Sequence, residues 1–391
     1  MAVSKEVLRA SRYFFAATMV TSLDRSVMAP MMIGIAVYYQ TSLSVIVAAA
    51  SGYLLAYGFT QPLWGFWSER IGRIRTIQYS LLIGGIANLI CFLPMSMWLF
   101  FSVRTIAGFG MAAAFPSAMI YFSDAVKDEK IRHPLITRLT AGVAIGLMGG
   151  TFFGGMFVEK FNWRAIFLII GVISIYFAIA IRTIENNIPA VVHLSVPQTY
   201  KAIYNNVWAK RLYLLVMIEG FVLLGTFAMT VPSLEREINS ASISGLVSSI
   251  YGISVLIMSI LVAKVTKKWS TISLINIGGA ASLTAYLLLA FKISLITVAI
   301  SVFLQGIAWV FFHTTLQAWI TSIQFEAKAT AISLFAGFLF IGNATGTTFG
   351  GLALDNYGHV TLFMIAAIVG AIMWGAGFYY RRLYNREVEA R

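Results

Sequence analysis

The stretch Gly146-Leu-Met-Gly-Gly150-Thr-Phe-Phe-Gly154-Gly155 recurs 196 residues later as Gly342-Asn-Ala-Thr-Gly346-Thr-Thr-Phe-Gly350-Gly351. Three glycines spaced by four, and the threonine after the second, keep their places. The likeness runs outward at the same offset: Glu159 falls on Asp355, Phe161 on Tyr357 and Phe167 on Phe363. The offset is half of the 391-residue chain, so the two halves read as copies of one unit. Small residues at this spacing let apolar helices approach closely where lipid, not water, surrounds them. Gly146, Gly150, Gly154, Gly342, Gly346 and Gly350 are therefore expected to be helix-packing positions.

Composition supports a lipid environment. Hydrophobic residues make up 59% of the chain and charged residues only 11%, against about 25% charged in a soluble protein. Apolar runs follow one another almost end to end, each close to the ~20 residues a helix needs to cross the hydrocarbon. Spans are expected near 13–38, 43–66, 76–94, 97–121, 135–158 and 163–183. A second set is expected near 211–232, 244–263, 270–290, 294–320, 329–353 and 359–380. The predicted fold is all-α: twelve transmembrane helices in two pseudo-symmetric six-helix bundles, residues 1–183 and 211–391. A polar cytoplasmic connector, 184–210, joins them. The first span is too long for the apolar core of a signal peptide and lacks a small-residue cleavage site, so it is expected to be retained.

Basic residues give this map an orientation. If the N-terminus lies inside, the inner segments hold 22 of the 28 Lys and Arg and the outer segments hold 4: Lys160, Arg164, Arg236 and Lys292. Arg25 and Arg104 fall within helices. Such a bias places both termini in the cytoplasm, in the plasma or inner membrane. It also accounts for the net charge of +13 without nucleic acid, because the charges occupy short gaps and form no basic face.

The gap between the second and third spans reads Gly65-Phe-Trp-Ser-Glu69-Arg70-Ile-Gly72-Arg73-Ile-Arg75. It resembles the inner-loop motif of the major facilitator superfamily, Gly-x-x-x-Asp-Arg-x-Gly-Arg-Arg/Lys, with Glu69 in place of Asp and Ile74 at a usually basic position. Helix count, orientation and half-repeat extend the resemblance over the whole chain. It implies that Gly65, Glu69, Arg70, Gly72 and Arg73, with Asp124 at the end of helix 4, form a clamp between the halves in the outward-facing state. The matching gap of the second half, Lys264-Val-Thr-Lys267-Lys268, has lost the acid and the glycine. Arg104-Thr-Ile-Ala-Gly108-Phe-Gly110 resembles the family's helix 4 motif, whose intramembrane Arg is linked to proton coupling. The glycines of helix 5 resemble the motif of the antiporter branches, with Thr151 where Pro is usual.

A charge at mid-bilayer costs at least ~2.5 kcal/mol on insertion scales and is usually functional. Four stand out: Asp24, Arg25, Arg104 and Glu219. Counted from the helix ends at ~1.5 Å per residue, Asp24 and Arg104 reach similar depth, which predicts an Asp24–Arg104 pair. Neighbours on a helix diverge by ~100°, so Asp24 and Arg25 cannot share a face. Asp24, with Thr21, Met28 and Met31 on its side, is expected to face a cavity. Glu219, offset by 195 from Asp24, is expected to face the same cavity from the other half. A carboxylic acid there can exchange a proton with substrate or Arg as competitor. His313 is a further candidate. Tyr53, Tyr57 and Gln61, spaced by four, are expected to edge the cavity, and Gln305, Gln317 and Asn343 could line it.

The expected function is secondary transport of a small molecule by alternating access, foremost proton-coupled efflux of drug-like or small metabolite substrates. Uptake symport, organic-anion transport and lipid transport are the alternatives. An enzyme would require a nucleophile–base set or metal-ligand spacing, and His133, His193, His313 and His359 are scattered. Neither a metal nor a cofactor is expected, and a monomer is.

Overall fold

The computed structural model describes residues 5–126, 128–184, 206–265, 269–323 and 328–389. Within them the chain is helical almost throughout. The helices are α1 (Lys5–Tyr38), α2 (Leu43–Ile71), α3 (Arg73–Cys91), α4 (Met97–Ala125), α5 (Glu129–Lys160) and α6 (Ala165–Ile181). The second half has α7 (Val207–Ile238), α8 (Ala241–Val262), α9 (Thr271–Phe291) and α10 (Leu295–Ser322). A last helical stretch, Lys328–Glu389, has 62 residues. Straight, it would be about three times the ~30 Å hydrocarbon thickness. Gly358 breaks it with φ of 77° and ψ of 177°, a conformation open mainly to glycine. It is therefore two spans, α11 (328–357) and α12 (359–389), and twelve crossings result among the described residues.

The helices run further than the hydropathy pattern marks. α1 begins at Lys5, α5 at Glu129, and α12 continues past Arg386. Hydropathy reports the lipid-facing length, whereas the polar ends continue helices already nucleated within the membrane, each further residue adding one backbone bond. Most of the connector 184–210 lies outside the described residues.

Helix starts carry the side chains that backbone N–H groups need at such ends. Ser42, Ser96, Ser240 and Ser270 each accept from the N–H three residues on, at the starts of α2, α4, α8 and α9. Asn206 does the same for α7, and Ser294 with Thr297 forms a capping box on α10. The turn from α2 to α3 rests on Gly72 at φ 90°.

The repeat foreseen in the glycine frame is present in the packing. A Cβ on Gly146 would collide with the carbonyl oxygen of Met19 in α1, and one on Gly342 with that of Met217 in α7. Gly150 and Gly154 close on Ser26 and Val27 of α1, while Gly346 and Gly350 close on Phe221 and Met229 of α7. So α5 lies on α1 as α11 lies on α7. The following glycines face the other half: Gly155 meets Ala241 of α8, and Gly351 meets Val47 of α2. The halves thus join along α5/α8 and α2/α11. At the end of the bundle opposite the termini, both seams are closed alike. Glu159 on α5 accepts from Ser242 N (2.7 Å) and Ser240 Oγ (2.9 Å) at the start of α8. Asp355 on α11 accepts from Ser44 N (2.6 Å) at the start of α2 and pairs with Arg236.

Candidate functional site

Between the halves lies a cavity of about 210 Å³, walled by α1, α2, α4, α5, α7, α8, α10 and α11. Its charged lining is Arg25 and Arg104. Its apolar wall includes Met28, Met32, Leu224, Phe227 and Trp309.

Asp24 and Arg104 form the expected pair. Arg104 Nη1 donates to Asp24 Oδ1 (2.6 Å) and to Asn88 Oδ1 on α3 (3.0 Å), and Nη2 donates to the Asp24 carbonyl (3.1 Å). Tyr53 Oη donates to Asp24 Oδ2 at 2.8 Å. Asp24 is 0% and Arg104 1% exposed. The guanidinium also lies 4.6 Å from the Tyr53 ring and 5.0 Å from that of Phe167. Four helices are thus tied at one point.

The cavity-facing member of the Asp24–Arg25 pair is the reverse of the expectation. Arg25, half-buried, lines the cavity. Asp24 stands behind the wall formed by Tyr53 and Arg104. α1 turns into a 3₁₀ segment at Ala29–Met31, with Pro30 in it. The guanidinium of Arg25 rests over the rings of Tyr57 (5.7 Å) and Phe340 (5.3 Å). Tyr53 is the cavity residue of its stripe; Tyr57 and Gln61 are buried and stand outside the lining. Of Gln305, Gln317 and Asn343, Asn343 lines the cavity.

Glu219 and His313, singled out separately in the sequence, meet. His313 Nδ1 and Glu219 Oε2 are 3.2 Å apart. Glu219 is 0% exposed, and its Oε1 has no hydrogen-bond partner among the described residues. Trp309 stacks on the imidazole, with centroids 3.9 Å apart and planes inclined by 13°. The pair sits behind Trp309, not in the lining itself. Each half therefore sets an acid on its first helix against a base on its fourth, α1–α4 and α7–α10. The backbone beside both partners of the second pair is π-helical, at Gly220–Gly225 and Trp309–His313. Such turns are rare and cluster at functional positions. No periodicity in the sequence announces them. Asn88 likewise gave no signal beyond being a polar residue in an apolar span.

The inner-loop residues gather at the other end. Arg73 Nε lies 3.5 Å from Asp124 Oδ2, and its Nη1 donates to Ser68 Oγ at 2.9 Å. Arg70 lies 4.0 Å over the Phe66 ring, and Glu69 is half-buried at the end of α2. Gly72 supplies the turn. These Arg73 contacts lie within the first half. One approach across halves at this level is made by Gly65, where a Cβ would stand 3.2 Å from Ser333 Oγ of α11. Lys267 and Lys268 lie outside the described residues.

The sequence model of the Major Facilitator Superfamily matches residues 14–324 and 212–390. The multi-drug resistance efflux pump PmrA of Streptococcus pneumoniae is 26% identical over 349 residues, covering 85% of this chain and 84% of that protein. The multidrug resistance protein MdtG of Yersinia enterocolitica is 24% identical over 350 residues, covering 84% and 81%. A solved D-xylose-proton symporter superposes with a TM-score of 0.80 at 13% identity over 96% of this chain and 98% of that one. The xylose transporter XylE from Escherichia coli does so with 0.76 at 14% identity over 95% and 97%. Twelve membrane-crossing helices among the described residues, in two like halves, a cavity between them and a family match over most of the chain agree: this integral, multi-pass membrane protein belongs to the Major Facilitator Superfamily of transporters.

Proposed function

We propose that this chain exports small drug-like or metabolite molecules through the central cavity, in exchange for protons. The observation that carries the reading is the pair of buried acid–base contacts, Asp24–Arg104 and Glu219–His313, one in each half beside the same cavity. Two relatives, one named a multi-drug resistance efflux pump and the other a multidrug resistance protein, share four-fifths or more of their length with it, which supports efflux over uptake. The positive-inside bias supports cytoplasmic termini in a plasma or inner membrane.

The two pairs have different work. Arg104 is fixed by three hydrogen bonds, and its carboxylate partner receives Tyr53 besides, so this pair holds α1, α2, α3 and α4 in one body. Glu219 and His313 share a single short contact, and Glu219 keeps one oxygen unengaged among the described residues. A proton held there joins α7 to α10 as a neutral or an ionic pair. Loading and release of that proton then bias which side of the cavity opens. The bundles 1–183 and 211–391 are the bodies that rock about α5/α8 and α2/α11, with Glu69, Arg73 and Asp124 part of the inner clamp.

The test is flux of three naphthalene probes (2-naphthoate, 2-naphthamide and 2-naphthylmethylammonium) in proteoliposomes, with and without an imposed proton gradient. Wild type is expected to move at least one probe faster with the gradient. Glu219→Gln is expected to abolish the gradient effect while retaining slow flux, and Asp24→Asn to lose flux. Full gradient-driven flux in both variants overturns the coupling scheme.

A further inference from the structure

Among the described residues nothing acidic lines the central cavity, whereas two arginines do. Their situations differ. Arg104 is neutralised by Asp24, which is wholly withdrawn from solvent. Arg25 belongs to none of the ion pairs among the described residues; its guanidinium rests on the faces of Tyr57 and Phe340. An aromatic face attracts a cation but leaves its N–H donors available at the edge. Once Arg104 is paired with Asp24, the lining among the described residues keeps one formal positive charge, with the Glu219–His313 pair set behind Trp309; that charge sits on a planar fork that matches a carboxylate or phosphate bidentately. Hydroxyl and amide groups add neutral polar contacts, among them Ser26, Tyr251, Ser248, Thr151 and Asn343. The same lining includes apolar and aromatic groups, Met28, Met32, Leu224, Phe227 and Trp309. Thioethers and rings accept bodies of varied shape.

From this we infer that the substrates are amphipathic organic anions: an aromatic or aliphatic body bearing one carboxylate-type group that pairs with Arg25. The proposal rests on the assignment of the central cavity as the substrate path. A cationic substrate would bring a second positive charge beside Arg25 with no acid on the wall to meet it, and like charges in a low-dielectric cavity repel strongly. An anion instead completes the cavity's charge. Export of an anion from a negative-inside compartment also runs with the membrane potential, so the direction proposed above and the charge of the cargo agree.

Binding to the purified full-length protein separates this from the coupling scheme, because it needs no gradient. The probes are again 2-naphthoate, 2-naphthamide and 2-naphthylmethylammonium, titrated by calorimetry in detergent. Wild type is expected to bind the carboxylate roughly 10-fold to 100-fold tighter than the other two, the ratio a charge-assisted hydrogen bond supplies. Arg25→Gln is expected to erase the preference while keeping binding of the amide, which also shows that the variant is folded. Arg25→Lys is expected to keep the sign of the preference at reduced size. Tighter binding of the ammonium, equal binding of all three, no binding of any, or a preference untouched in Arg25→Gln overturns the inference. Gradient-independent flux alongside a clear anion preference would sink proton coupling and leave the anion class standing.

Discussion

Asp24 receives three donors, from Tyr53 and Arg104, and none of its surface meets solvent. Removing one partner leaves a buried charge uncompensated, which costs ~3–5 kcal/mol, while removing both costs far less. Asp24→Asn is thus expected to lower the melting temperature of the purified protein markedly. The double variant Asp24→Asn with Arg104→Gln is expected to recover most of that loss yet remain inactive; thermal unfolding followed by tryptophan fluorescence measures the first, proteoliposome flux the second. Additive losses in the double variant would refute the coupling. This pair was legible in the sequence, because two opposite charges at matching depth in a membrane leave each other few other partners. The Glu219–His313 contact was not. A histidine among Trp309, Phe311 and Phe312 looks like a packing residue, and its partner is 94 positions away. The orientation of Arg25 escaped for another reason: spacing along α1 does not show that Tyr53 and Arg104 hold Asp24 behind the cavity wall.

At the level of helices, two carboxylates sit on the N-termini of helices from the opposite half. Glu159 receives the start of α8, and Asp355 the start of α2. A helix N-terminus carries partial positive charge and unpaired N–H groups, so each contact favours the closed seam by up to ~2 kcal/mol. Any state that opens this end must part both. Val47 lies under the second seam, 0% exposed against Gly351, and serves as a reporter. With Val47→Cys, labelling by a membrane-impermeant maleimide from the far side is expected to rise about 5-fold or more when Asp355→Asn is added, which corresponds to ~1 kcal/mol. Cys91, the sole cysteine, is buried and gives a low background. Unchanged labelling would show that the carboxylate does not hold the seam. The repeat had aligned Glu159 with Asp355, but a matched pair of acids at loop edges carries no sign of its partners, which lie 83 and 311 residues away.

The whole molecule rests on contact between backbones. Gly146 and Gly342 each admit a neighbouring carbonyl where any side chain would collide. Gly146→Leu and Gly342→Leu are expected to abolish folded, monodisperse protein to the same degree, since they occupy one position of the duplicated unit. Gly375→Ala, exposed and with nothing within 4 Å of the added carbon, is expected to be silent. Size-exclusion profiles of the three variants decide this, and normal profiles for both leucine variants would break the equivalence of the halves. Architecture was readable because lipid reduces the choices: apolar length sets the spans, basic gaps orient them, and small residues mark the seams. What the pattern left out lies where the helix is irregular.

Those irregular turns let the two halves differ in length and in chemistry. Asp24 and Ser42 are 18 residues apart, whereas Glu219 and Ser240, their counterparts, are 21 apart. On a regular helix each inserted codon would swing all that follows by ~100°, carrying Ser240 and Ser242 away from Glu159. The wide turn at Gly220–Gly225 and the 3₁₀ turn at Thr226–Met229 change that phase, so that Ser240 and Ser242 still meet Glu159. One two-fold mould thus seats different chemistry in its two halves, arginine against aspartate in the first and histidine against glutamate in the second, while Ser242 still reaches Glu159.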